Sequence, residues 1–80
     1  MPSGPQIRAA RALLGIPADE LAGLAAVTLR TIQRFEGVQS VPASRSGTLE
    51  RVKAALEAEG IEFLGDPITS PGVRLNRKPA

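Results

Sequence analysis

Eighty residues are enough for one domain with a small core. The chain has no cysteine and no histidine, which excludes a disulfide or thiolate metal site and removes the usual general base and the commonest metal ligand. Ten Lys and Arg against eight Asp and Glu leave a net charge of only +2, so bulk charge singles out no partner.

Taken in order, Met1–Gly4 offers Pro2, Ser3 and Gly4 with nothing to bury, and residues 1–4 are expected to be disordered. Pro5 or Gln6 opens a first helix on which Ile7, Ala10, Leu13 and Leu14 keep the helical period, and Gly15 closes it. A second helix runs from Pro17, a residue suited to the first helical position, to Ala25. Leu21, Leu24 and Ala25 share one of its faces, and Asp19 and Glu20 lie in its first turn, where carboxylates favour the helix dipole. Val27 ends a tight turn, and Thr28 stands as the N-cap of a third helix with Ile32 and Phe35 inward. At about 100° per residue, Arg30 and Arg34 point away from Ile32. Glu36 returns to about 40° from Ile32, on the core side, where a carboxylate without a partner would be costly.

Val38–Arg45 reads as a loop, with Val41 tucked beneath it and Pro42 barring a regular helix. Ser46–Glu59 forms the fourth helix, capped by Ser46 or Thr48, with Leu49, Val52, Ala55 and Leu56 inward and Gly60 as its stop. Ile61, Phe63 and Leu64 begin a strand, Gly65-Asp66-Pro67 and Ser70-Pro71-Gly72 break it, and Val73-Arg74-Leu75 make a second strand, together a hairpin. Residues 77–80 are a basic tail with Arg77 and Lys78.

The stretch Leu21–Gly37, LAGLAAVTLRTIQRFEG, resembles the helix-turn-helix of the Cro/C1 repressor family, also called the XRE family. Leu21, Ala22, Ala25, Val27, Thr28, Ile32, Phe35, Glu36 and Gly37 hold that family's apolar, cap and acidic positions at their spacing, and with the flanking helices the resemblance covers about residues 6–59. It implies a mainly α, lambda-repressor-like helix-turn-helix domain of four helices over residues 5–59, with the C-terminal β-hairpin at 60–76. It also implies that Arg11 and Glu36 form a structural ion pair between the first and third helices. Two departures matter. The family's turn glycine is Ala26 here, which costs roughly 1–2 kcal/mol if it is left-handed. Pro17-Ala18 stands where relatives often have Ser-Gln, so the phosphate contact of that glutamine does not carry over.

Charge distribution agrees with this resemblance. Residues 26–53 hold Arg30, Arg34, Arg45, Arg51 and Lys53 against Glu36 and Glu50, a local +3, whereas residues 16–25 hold only Asp19 and Glu20. Arg30 and Arg34 are the expected readers of base edges, since an arginine bonds guanine O6 and N7 together. Thr31 can offer its methyl to thymine, and Leu29 meets either a thymine methyl or the core. Thr28, Gln33, Arg45 and Ser44 are the expected phosphate contacts, which position a protein without specifying sequence.

The expected function is sequence-specific transcriptional regulation, more often repression, on double-stranded DNA. The rival is a protein-interaction module, an anti-activator or antitoxin, that keeps the fold and binds a protein partner instead. An enzyme is not expected: the eight carboxylates form no Glu-x-x-His or Asp-x-Asp grouping, and no cofactor or metal is implied. No apolar run approaches the ~18 residues of a membrane span and the N-terminus lacks the apolar block of a signal peptide, so the expected location is cytoplasmic, without a membrane partner. One short recognition helix covers few base pairs, and relatives dimerise on half-sites about one DNA turn apart. Ile61, Phe63, Val73 and Leu75 alternate with polar residues, so the hairpin has an apolar face to cover. Pairing with a second hairpin in a homodimer is the expected cover, and folding back onto Leu56 within one chain is the alternative.

Overall fold

Ser3-Gly4-Pro5-Gln6 sets how the chain begins. In a computed structural model that describes residues 1–77, the first helix, α1, spans Gly4–Leu14 and Ser3 is its N-cap. The Ser3 hydroxyl accepts from the Gln6 amide at 3.4 Å, and the Gln6 side-chain carbonyl accepts from the Ser3 amide at 2.9 Å. This is a reciprocal capping box. Pro2 and Ser3 are buried, and Gly4 donates its amide to the Ser40 carbonyl at 3.1 Å. A β-carbon on Gly4 would run into the carbonyl oxygens of Phe35 and Val38. The disorder expected for residues 1–4 is therefore corrected: small residues here serve close approach and capping, not looseness.

The remaining elements are α2 (Ala18–Ala25), α3 (Leu29–Glu36), α4 (Thr48–Ala58), β1 (Ile61–Leu64) and β2 (Gly72–Leu75). The described residues thus form a small, mainly helical domain of four helices and one two-stranded antiparallel sheet. Pro17 occupies the N-cap of α2 without any side-chain cap, one residue earlier than expected for it, and Asp19 and Glu20 lie in the first turn. Ala26 ends α2 in the left-handed conformation, φ 57° and ψ 45°, a cost of roughly 1–2 kcal/mol for a residue with a β-carbon. The Val27 amide then bonds back to the Ala22 carbonyl at 3.0 Å, closing the turn into α3.

Fully buried Ile7, Leu21, Ile32, Phe35, Val52 and Leu56 centre the core. Two leucines assigned inward from periodicity are not there: Leu13 is 41% and Leu24 47% exposed. On α2 the inward set is Leu21, Ala22 and Ala25. With only eight residues, that helix takes its buried face from where α3 and α4 pack on it. The start of α4 also differs from expectation. Ser46 (φ 56°) and Gly47 (φ 70°) are both left-handed and neither Ser46 nor Thr48 caps by side chain. Instead the Ser44 hydroxyl accepts from the Leu49 amide at 3.3 Å, while Thr48 Oγ1 donates to the Arg45 carbonyl at 2.7 Å.

In the hairpin Ile61 faces Leu75, Glu62 faces Arg74, Phe63 faces Val73 and Leu64 faces Gly72. Ile61 is buried, and Phe63, Val73 and Leu75 pack on the same core, with β1 against α4 and β2 against α1. Gln6 fastens the far end, its amide nitrogen donating to the carbonyls of Leu64 at 3.1 Å and Gly72 at 2.9 Å. The apolar face is covered in part within one chain: Ile61 is buried, and Phe63, Val73 and Leu75 are half-buried against the same core. Main-chain groups differ. The Asn76 amide bonds the Gly60 carbonyl at 2.8 Å, so strict antiparallel alternation turns the backbone groups of Ile61, Phe63, Val73 and Leu75 out of the ladder. Arg77 is exposed, and the rest of the basic tail, residues 78–80 with Lys78, lies outside the described residues.

Candidate nucleic-acid interface

Thr28 begins the site. Its hydroxyl accepts from the Thr31 amide at 3.2 Å and shares a 3.0 Å hydrogen bond with the Thr31 hydroxyl. This cap starts α3 so that Ile32 and Phe35 are buried. Leu29 is 41% exposed, which places it on the outer surface and not in the core. Arg30, Gln33 and Arg34 are exposed with it, and Thr31 is half-buried.

Glu36 closes the same helix from the inner side. Arg11 Nε and Nη2 hold its two carboxylate oxygens at 2.9 Å each, a bidentate pair, and Arg11 Nη1 donates to the Ile16 carbonyl at 3.1 Å. The side chains are 24% and 11% exposed, so the pair is partly buried, as the resemblance implies for these two residues. The bond to Glu36 raises the Arg11 pKa above its ordinary value against the opposing effect of burial.

With Glu36 held by Arg11, the outer surface keeps its positive charge. Arg30, Arg34 and Arg45 have no carboxylate within 4.0 Å among the described residues. The two arginines of α3 differ from each other. Arg30 makes no hydrogen bond to the described residues through its side chain, whereas Arg34 Nη1 donates to the Ala43 carbonyl at 2.9 Å. Its guanidinium carbon also lies 4.8 Å from the centroid of the Phe35 ring, within the range of a cation–π contact. Arg34 therefore lies against the loop, beside an open groove of about 530 Å³ lined by Thr31, Arg34, Ala43, Ser44, Arg45 and Thr48.

The fold brings Thr31, Arg34, Ser44 and Arg45 to this groove. Leu29, Arg30 and Gln33 lie on the exposed surface of α3. Ile61, Phe63, Val73 and Leu75 belong to the core side of the hairpin. Two contributors had escaped notice in the sequence. Thr48 reads from the sequence only as a cap, and Ala43 acts through its main-chain oxygen, for which no side-chain pattern exists. The groove presents guanidinium and hydroxyl groups without an acidic residue among its lining, which suits an anion. Among the described residues no group of three or more acidic, His or Cys side chains is arranged to hold a metal, and no helix is long and apolar enough to cross a membrane. No protein-family model matches the chain, and no curated protein is significantly similar to it.

Proposed function

We propose that this chain is a sequence-specific reader of double-stranded DNA, similar to Cro/C1-type helix-turn-helix regulators, and that it controls transcription, chiefly by occupying an operator. One observation carries the reading: the outer surface of α3 and the adjoining groove bear Arg30, Arg34 and Arg45 without a carboxylate among the described residues to neutralise them. In this reading the N-terminal half of α3 enters the major groove, Leu29 and Arg30 meet base edges, and Thr28 and Gln33 lie toward the backbone. No catalytic step is assigned to the chain.

Reading an inverted repeat takes two copies. The surface best suited for their meeting is the open strand edges of the hairpin, through main-chain hydrogen bonds, because its apolar side chains are already partly buried against the core of one chain. Equilibrium binding of labelled duplexes tests the function. Arg30→Ala should lower affinity for the preferred site about 10–100-fold. An Arg30→Ala protein that stays folded and binds every duplex as the unaltered protein does would favour the rival, a module that docks on a protein.

A further inference from the structure

We infer that Arg34 grips the DNA backbone and does not read a base, leaving sequence discrimination on α3 to Leu29 and Arg30; this rests on the DNA reading above. Position on the helix alone makes Arg30 and Arg34 equivalent, since both point away from Ile32. Their surroundings separate them. To reach a base edge at the floor of a groove, a side chain must project from the helix. Arg30 has no side-chain hydrogen bond among the described residues to hold it back. Arg34 is folded onto the loop that follows α3, held by the Ala43 carbonyl at 2.9 Å and by the Phe35 ring at 4.8 Å. Phe35 is fully buried, and the other anchor is a main-chain carbonyl of the loop.

In that posture Arg34 shares one groove with Arg45, Ser44, Thr31 and Thr48. The ligand such a lining takes is a phosphodiester: two guanidinium groups supply charge and donors, and no carboxylate repels it. The Ser44 oxygen accepts from the Leu49 amide, which leaves its hydroxyl proton to donate. The loop therefore holds Arg34 ready to bond a phosphate together with Arg45, and a contact of this kind fixes the register of α3 without carrying sequence information.

The test compares Arg34→Ala and Arg34→Lys with the unaltered full chain, on the preferred duplex and on an unrelated one. Arg34→Ala should weaken both by the same factor, about tenfold, and reduce the salt dependence by about one unit. Base preferences selected from random duplex DNA should not change. Arg34→Lys, which keeps a point charge and lacks the planar fork, should retain most of the affinity and the whole preference. Relaxed preference at one base pair in either variant, with affinity for unrelated DNA retained, would overturn the assignment. Failure of the DNA reading itself looks different: the unaltered protein would bind no duplex. Titration with inorganic phosphate separates the two, since it should still shift the amide signals of Ser44, Arg45 and Thr48 in the unaltered protein and not in Arg34→Ala. If phosphate leaves these signals in place, the groove is not an anion site.

Discussion

Arg11 holds both oxygens of Glu36 and the carbonyl of Ile16, so a single side chain ties α1, the turn after it and the end of α3. Glu36→Ala leaves that guanidinium partly buried with only one partner, and should lower stability by about 2–3 kcal/mol. A thermal melt measures it, and an unmoved midpoint would mean that the pair contributes nothing. Affinity of the folded fraction for DNA should fall much less, because Glu36 faces inward. Angles along α3 were sufficient to put Glu36 on the core side, and the family resemblance supplied its partner. Gln6 illustrates the opposite case. Its bonds to Leu64 and Gly72 join residues 58 and 66 positions away, and no local periodicity announces them. The capping box carries a local signal, since Ser3-Gly4-Pro5-Gln6 follows the Ser-x-x-Gln pattern, but the expectation of disorder at residues 1–4 passes over it.

Elements were read well where a cap or breaker is a side chain with one dominant use. Gly15 and Thr28 stand where their chemistry requires, and both strands fall where β-branched, aromatic and leucine residues alternate with polar ones. The start of α4 was misplaced because Ser46 and Gly47 turn left-handed before the helix begins, a conformation that serine seldom adopts. The hairpin is legible as an element, and of the two covers that its apolar face allows, folding back within one chain accounts for part. Burial of Ile61 and the bonds from Gln6 make it part of the domain. A chain ended at Gly60 should therefore lose stability, by about 2–5 kcal/mol on the scale of uncovering one core isoleucine. Circular dichroism through a thermal melt checks this; an unchanged melt would return the hairpin to the role of a detachable interface.

The hairpin connection should also respond to acid. Asp66 is held below the usual carboxylate range by the amides of Thr69 and Ile68, and Glu62 by its bonds to Arg74 and Asn76. Both pKa values are depressed in the folded chain. Their stabilising effect is thus complete above the unfolded values, near pH 4, and disappears as pH falls through the folded ones. Amide signals of Ile68 and Thr69 should move first below pH 4, ahead of those in α3. Titration of these amides together with the helices would contradict a local loosening.

For the whole molecule, a net charge of +2 matters less than where the charges stand. Arg11 neutralises Glu36 on the inner side of α3 and thereby leaves Arg30, Arg34 and Arg45 outside as a positive surface that no carboxylate among the described residues compensates. Its residues were legible as exposed helix and loop positions. The division between a free Arg30 and a tethered Arg34 was not, because it depends on a main-chain oxygen nine residues away. Selection of bound sequences from random duplex DNA, run in parallel on the unaltered chain and on Arg30→Ala, tests the central claim most directly. The unaltered chain should enrich an inverted repeat, and Arg30→Ala, folded to the same extent, should lose preference at one base pair of each half-site. No enrichment by the unaltered chain, or the same enriched sequence from both proteins, would contradict it.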